Sequence, residues 1–449
     1  MSSLAPRSRS VLWANPEAPA YRMAWWLLVA GMTAYMTLSA SGLYVLGIPY
    51  DAPYGSFPAK LHPGTYLLTL SWLLALGSRG HLIAEAVAQA RKEPLLSGYL
   101  VCMVLAFLWA AARHGPGGLA FFFDTLWMPA VAALSAALQP RHRQRQLLVA
   151  MMVLLLLNSV LALGEVVLGQ RLIPLFPERP DYVEEYPFRA SALIGHPLSN
   201  ALATIALLPA IFLMPWPTFW RLLAAVLLVL ALLSFGSRAS LAGLAFYGLL
   251  ACAYLLQRAL RGGFSYLQLT GGLVGGVFGL TALGALVAIT GVGDRIFANL
   301  SWDQSASVRL LAWDVLAYFN GADFWFGIPI TSIDAVALRV GIDPRYEAIE
   351  NFWIYLLLLL GLFGFSLFVA GLSMLLLSMW KKSPPLLRLA MVVHLVLASG
   401  SNTLSSKSTS LLYVVVAIQC ATAFVRSAQQ QKQQQLRAGE RPTVMGAWR

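Results

Sequence analysis

Three arginines and one carboxylate are the residues of this chain whose types and surroundings suit chemistry. Arg189 stands in RLIPLFPERPDYVEEYPFRASALIGHPLSN (171–200) and Arg238 in the tight connection SFGSRAS (234–240). Arg309 belongs to a long polar segment, 291–350, set between two apolar stretches. A guanidinium is a planar fork that donates two parallel hydrogen bonds and stays charged at physiological pH, which suits it to a diphosphate. Three forks arriving from three separate connections could converge on one such group. They could instead pair with neighbouring acids such as Glu184, Glu185 or Asp303, or anchor helix ends by snorkelling. The carboxylate is Glu350, followed by Asn351 and the run FWIYLLLLLGLFGF. The dipole of the helix that this run predicts favours an acid at that position, so Glu350 can also serve as its cap.

What must position these residues is a membrane bundle. Of 449 residues, 59% are hydrophobic and only 11% charged, and the mean hydropathy is +0.70, which excludes an ordinary soluble domain. Apolar runs long enough to cross about 30 Å of hydrocarbon predict twelve spans. They are 23–44, 62–77, 95–112, 118–138, 147–168, 193–213, 221–236, 239–256, 265–290, 351–379, 384–400 and 408–425. The expected fold is thus all-α: a cytoplasmic segment 1–22, spans one to nine in 23–290, an outer loop 291–350, three more spans in 351–425 and a polar tail 426–449. With the N-terminus inside, 20 of the 31 Lys and Arg fall in inner connections, while 15 of the 19 acids fall outside. Basic residues are retained on the cytoplasmic side, so both termini are expected there. The net charge of +12 is then a topology signal and calls for no nucleic-acid partner.

Cys102, Cys252 and Cys420 all fall in apolar runs, so no disulfide framework is expected. The first span follows a basic segment and lacks a small-residue cleavage site, which reads as a retained signal anchor. The glutamine-rich QQQKQQQ (429–435) reads as a frayed or disordered end. Within 291–350, apolar positions 308, 311, 312, 315, 316 and 319 share one helix face, with Ser305 or Ser307 available as a cap. This surface helix would hold Arg309 and Trp313 one turn apart. A second short helix is expected from Thr331 or Ser332 to Gly341. No DxD-like pair or His/Cys cluster with metal-ligand spacing occurs at the outer face, so no metal or other cofactor is expected.

Five stretches occur in a telling order: FRASALIGHPLSNA (188–201), LSFGSRASLAGL (233–244), SASVRLLAWDVL (305–316), FWFGIPI (324–330) and ENFWIYLLLLLGLFG (350–364). Over about 150–425 the chain resembles the O-antigen polymerase and ligase superfamily, integral membrane glycosyltransferases acting at the outer face of the bacterial inner membrane. The resemblance implies a GT-C-like bundle with a large periplasmic loop over a cavity open to lipid. It implies an undecaprenyl-diphosphate-linked glycan as donor, a glycan or glycolipid acceptor, and contact with membrane lipids and other polysaccharide assembly proteins.

By that resemblance Arg189, Arg238 and Arg309 hold the diphosphate and stabilise the charge that develops as it leaves. The family places a histidine before the Asn of the last motif as the base for the acceptor hydroxyl. Here Glu350 stands in its place, a role that a carboxylate can take when burial raises its pKa. His196 is the alternative base. The catalytic set is therefore Glu350, Arg309 and Arg238, and the substrate-binding set is Arg189, His196, Asn351, Trp313 and Trp302. Trp302, Trp313 and Phe324 could stack on sugar faces, whereas Trp325 and Trp353 read as interface anchors. The glutamate shifts the expectation from a ligase acting on lipid A-core toward a polymerase of exopolysaccharide or another surface glycan. A flippase or transporter of lipid-linked sugars predicts mid-membrane ionisable residues and paired broken helices, where only Asn158 and His394 stand out. A non-enzymatic assembly scaffold predicts nothing of Arg238 or Arg309.

Overall fold

The computed structural model describes residues 18–52, 55–175, 177, 188–262, 284, 304–319, 321–343 and 349–437. Among them the chain is all-helical, with no strand. Among the described residues ten α-helices precede the long polar segment: α1 Pro19–Thr37, α2 Ala40–Val45, α3 Pro63–Gly77, α4 Leu82–Lys92, α5 Pro94–His114, α6 Met128–Leu138, α7 Arg141–Leu168, α8 Pro197–Leu207, α9 Thr218–Ser234 and α10 Arg238–Leu260. Within that segment lie α11 Gln304–Asp314, α12 Gly321–Phe326 and α13 Ile330–Arg339, followed by α14 Phe352–Lys382, α15 Pro385–Ser399 and α16 Ser410–Arg437. Proline opens α1, α3, α5, α8 and α15, where its missing N–H costs nothing.

Among the described residues four helices, α5, α7, α10 and α14, are long and apolar enough to cross a membrane. The bent pair α3 and α4, at 101°, makes a fifth if taken as one span. Phe122–Leu138, Pro197–Leu213, Thr218–Ser234, Pro385–Ser399 and Ser410–Phe424 are apolar but shorter. The expected first span is broken: α1 stops at Thr37, and Ser39 caps α2 by accepting from Gly42 N–H. The ninth predicted span, 265–290, lies outside the described residues save position 284. The tail differs from expectation, because α16 continues helical to Arg437. In the polar segment α11 starts at Gln304, so Ser305 and Ser307 sit inside its first turn rather than before it. Pro329 precedes α13, which therefore begins at Ile330 rather than after Thr331 or Ser332.

The largest departure from a simple helix is in α14. Gly361 adopts φ 60° and ψ 179°, a conformation that side chains exclude, and the helix breaks there. A break in an apolar environment frees carbonyls that must find donors. They find them: Ile328 N–H donates to the Leu358 carbonyl at 2.8 Å and Trp109 Nε1 to that of Leu360 at 2.9 Å, while His114 Nε2 bonds that of Leu359 at 3.1 Å. Gly327, at φ 80°, packs its backbone directly on Gly361, and a Cβ on either would collide with the other strand of the contact. FWFGIPI and the LGLFG of α14 are thus two halves of one seam, which fastens the polar segment to the bundle.

Polar contacts separate the two ends of the bundle. Lys382 pairs with Glu93 at 2.6 Å, and Tyr21 donates to the Leu138 carbonyl, all residues assigned to inner connections or the helix ends beside them. The ion pairs Lys407–Asp51 and Arg309–Glu350 join residues of connections expected on the outer side.

Candidate functional site

The segment 188–196 owes its shape to two polar side chains on α7. Glu165, buried, accepts backbone N–H bonds from Leu172, Ser191 and Ala192 at 2.7–3.0 Å. Asn158, also buried, accepts from Leu193 and Ile194 and donates to Asn200. These bonds fix the entry to α8 and the position of its neighbours. Arg189 Nε then donates to the Phe235 carbonyl at 3.1 Å, and Ala190 N–H to that of Ser234 at 3.1 Å. Arg171 donates through Nε and Nη2 to the Arg189 carbonyl and lies over the Phe188 ring. Arg189 is thereby held on the turn that opens α10, whose first residue is Arg238, after the Ser237 cap.

Arg309 reaches a neighbouring point by another route. Its Nη2 pairs with Glu350 Oε2 at 2.8 Å and its Nε donates to the Gly400 carbonyl at 3.1 Å. Phe352 N–H bonds the Ser401 carbonyl at 2.9 Å, so the start of α14 and the end of α15 form one platform for the pair. Gly243 of α10 packs on Leu397 of α15, which brings the start of α10, and with it Arg238, toward the Gly400 end. The connections that carry the three arginines therefore lie at the same end of the α10 and α15 pair. Glu350 is not the buried carboxylate that was expected: its side chain keeps 30% exposure and Arg309 keeps 38%.

Three assigned residues have structural work. Asn351 Oδ1 accepts from Trp353 and Ile354 N–H, so the cap of α14 is Asn351 and not Glu350. Trp353 Nε1 donates to Ser399 Oγ at 2.9 Å, which makes it a tie between α14 and α15. His196 caps α8, its Nδ1 accepting from Leu198 N–H at 3.2 Å. That bond leaves the proton of the neutral ring on Nε2, so His196 is arranged as a hydrogen-bond donor rather than as the alternative base. Trp313 is exposed on α11, and Trp302 lies outside the described residues.

Beside this platform is a cavity of about 490 Å³, lined by parts of 38–52, Lys60, His62, 118–121, 194–199, Tyr355 and 402–409. His196 is in its wall. The stretch SNTLSSKSTS (401–410), which the sequence reading passed over, forms one side; its signal was seven Ser or Thr and a lone lysine in ten residues between two apolar helices. Thr125 stitches it down, donating to the Ser406 carbonyl and accepting from Ser408 N–H. Lys407 Nζ bonds the Tyr50 carbonyl, lies 4.0 Å from the Tyr50 ring centroid and is 3.7 Å from Asp51 Oδ1. Burial lowers the Lys407 pKa, an effect that nearby Lys60 adds to and Asp51 and Asp124 oppose. Asp124, buried under the floor, is satisfied by Tyr50 Oη at 3.0 Å, Thr65 Oγ1 and the His62 N–H, so it acts as a buttress.

No family model matches the chain, and no curated protein matches it either.

Proposed function

We propose that this protein is a polymerase of exopolysaccharide or another surface glycan, a twelve-span enzyme of GT-C-like architecture with both termini cytoplasmic and its site at the periplasmic face. In this reading an undecaprenyl-diphosphate-linked glycan is the donor and the hydroxyl of an incoming repeat unit is the acceptor. The observation that carries it is the Arg309–Glu350 pair at 2.8 Å, half-exposed beside a hydroxyl-lined cavity and at the same bundle end as Arg189 and Arg238. Cations there suit a leaving diphosphate, and the carboxylate suits a hydroxyl about to lose its proton.

The step balances simply. The acceptor oxygen bonds to the anomeric carbon as that carbon's bond to the diphosphate oxygen breaks, and the electron pair leaves with the diphosphate. Glu350 takes the hydroxyl proton. Arg309, Arg189 and Arg238 stabilise the departing anion, a contribution that grows as charge develops. His196, as a neutral donor, holds a substrate oxygen.

Deleting the gene and inspecting the accumulated glycolipids tests the proposal. Single undecaprenyl-linked repeats are expected. Complete undecaprenyl-linked polymer would make the protein a ligase to lipid A-core, and lipid intermediates on the cytoplasmic face alone would make it a flippase. Unchanged intermediates would leave a scaffold.

A further inference from the structure

The geometry points to the cavity walled by Tyr50, Asp51, His196 and the 402–409 segment as the subsite that binds a sugar ring of the acceptor. His196 is on the side that feels Arg189. This inference rests on reading the chain as a glycan-transferring enzyme, but its evidence is its own. The volume, about 490 Å³, falls within the roughly 300–1,000 Å³ of small-molecule sites. Its wall has the chemistry of a polyhydroxylated ligand rather than of a lipid tail. Serine and threonine hydroxyls of 402–409 line it with Asn402; Ser405 and Ser406 already donate to the Asn402 carbonyl and so meet a ligand as acceptors. Aromatic rings of Tyr44 and Tyr355 in the wall supply flat apolar faces for the C–H side of a ring.

Two groups give the cavity polarity of orientation. Asp51 is 62% exposed and lies 3.7 Å from Lys407, so its carboxylate is accessible to ligand hydroxyls. His196, with Nδ1 engaged, offers Nε2–H as a donor. Lys407 is not the primary ligand, because the Tyr50 carbonyl and ring already hold it; it locks the 50–52 loop to the 402–409 wall and so keeps Asp51 in place. A carboxylate acceptor and an imidazole donor in one cavity wall suit a ligand whose hydroxyls both donate and accept.

The test uses the full chain in detergent with two probes, a panel of free mono- and disaccharides and inorganic pyrophosphate, read by saturation-transfer NMR. Asp51→Asn keeps the shape of the side chain and removes its charge. His196→Asn keeps a good helix cap and removes the imidazole donor. Each should weaken binding of the best sugar about tenfold, the scale of one lost charge-assisted or buried hydrogen bond, without moving pyrophosphate binding. Arg309→Ala should do the reverse. Sugar binding that ignores both cavity variants, or no sugar binding at all, overturns the subsite. Sugar binding lost in Asp51→Asn and His196→Asn, together with unchanged lipid intermediates in the deletion strain, upholds the subsite and removes the polymerase.

Discussion

Two contacts made by the polar segment are opposites. At one, Gly327 and Gly361 meet backbone to backbone, with each freed carbonyl satisfied and no room for a methyl group. At the other, eleven residues before the break, Arg309 and Glu350 make an ion pair that keeps about a third of each side chain in contact with solvent. The first has no room to move. The second leaves both charges partly open to solvent. On the proposed function, the rigid contact holds the segment while the exposed pair meets the ligand.

Substitutions should separate the two contacts cleanly. Gly361→Ala meets a forbidden backbone conformation and a collision with Gly327, costing about 4 kcal/mol, and should leave little monodisperse protein on size-exclusion chromatography. Glu165→Ala orphans three backbone N–H groups under the 188–196 segment; a loss of roughly 3 kcal/mol should appear as a large drop in melting temperature in detergent. Arg309→Ala should cost at most about 1 kcal/mol because the pair is half-exposed, while glycosyl transfer falls about 100- to 1,000-fold. Equal losses of stability in Arg309→Ala and Gly361→Ala would erase the contrast between the contacts. Trp313→Ala, on an exposed face, should stay within about 0.5 kcal/mol of the parent in thermal melts.

Helices and candidate cations were legible because they depend on local pattern: apolar length, proline at helix starts and arginine in polar connections. Which arginine meets which neighbour was not, since the Arg189 bond to Phe235 and the Arg309 bond to Gly400 join residues 46 and 91 positions apart. Asn351 shows the limit in another way: Asn before an apolar run is a strong capping signal, and that local role explains it without a ligand. Glu165 and Asn158 sit among apolar residues where a sequence offers no hint of the backbone N–H groups they receive. The 401–410 stretch was passed over because Ser and Thr read as loop filler, whereas their arrangement around Lys407 and Tyr50 makes them a wall.

The most direct test of the account is release of undecaprenyl diphosphate by the purified protein given an undecaprenyl-diphosphate-linked glycan and its acceptor. The parent protein should release it in step with polymer growth, and Glu350→Gln and Arg309→Ala, folded to the same melting temperature within a few degrees, should release almost none. Equal release by the parent and both variants would contradict the roles given to the Arg309–Glu350 pair, and no release by the parent would contradict the proposed reaction itself.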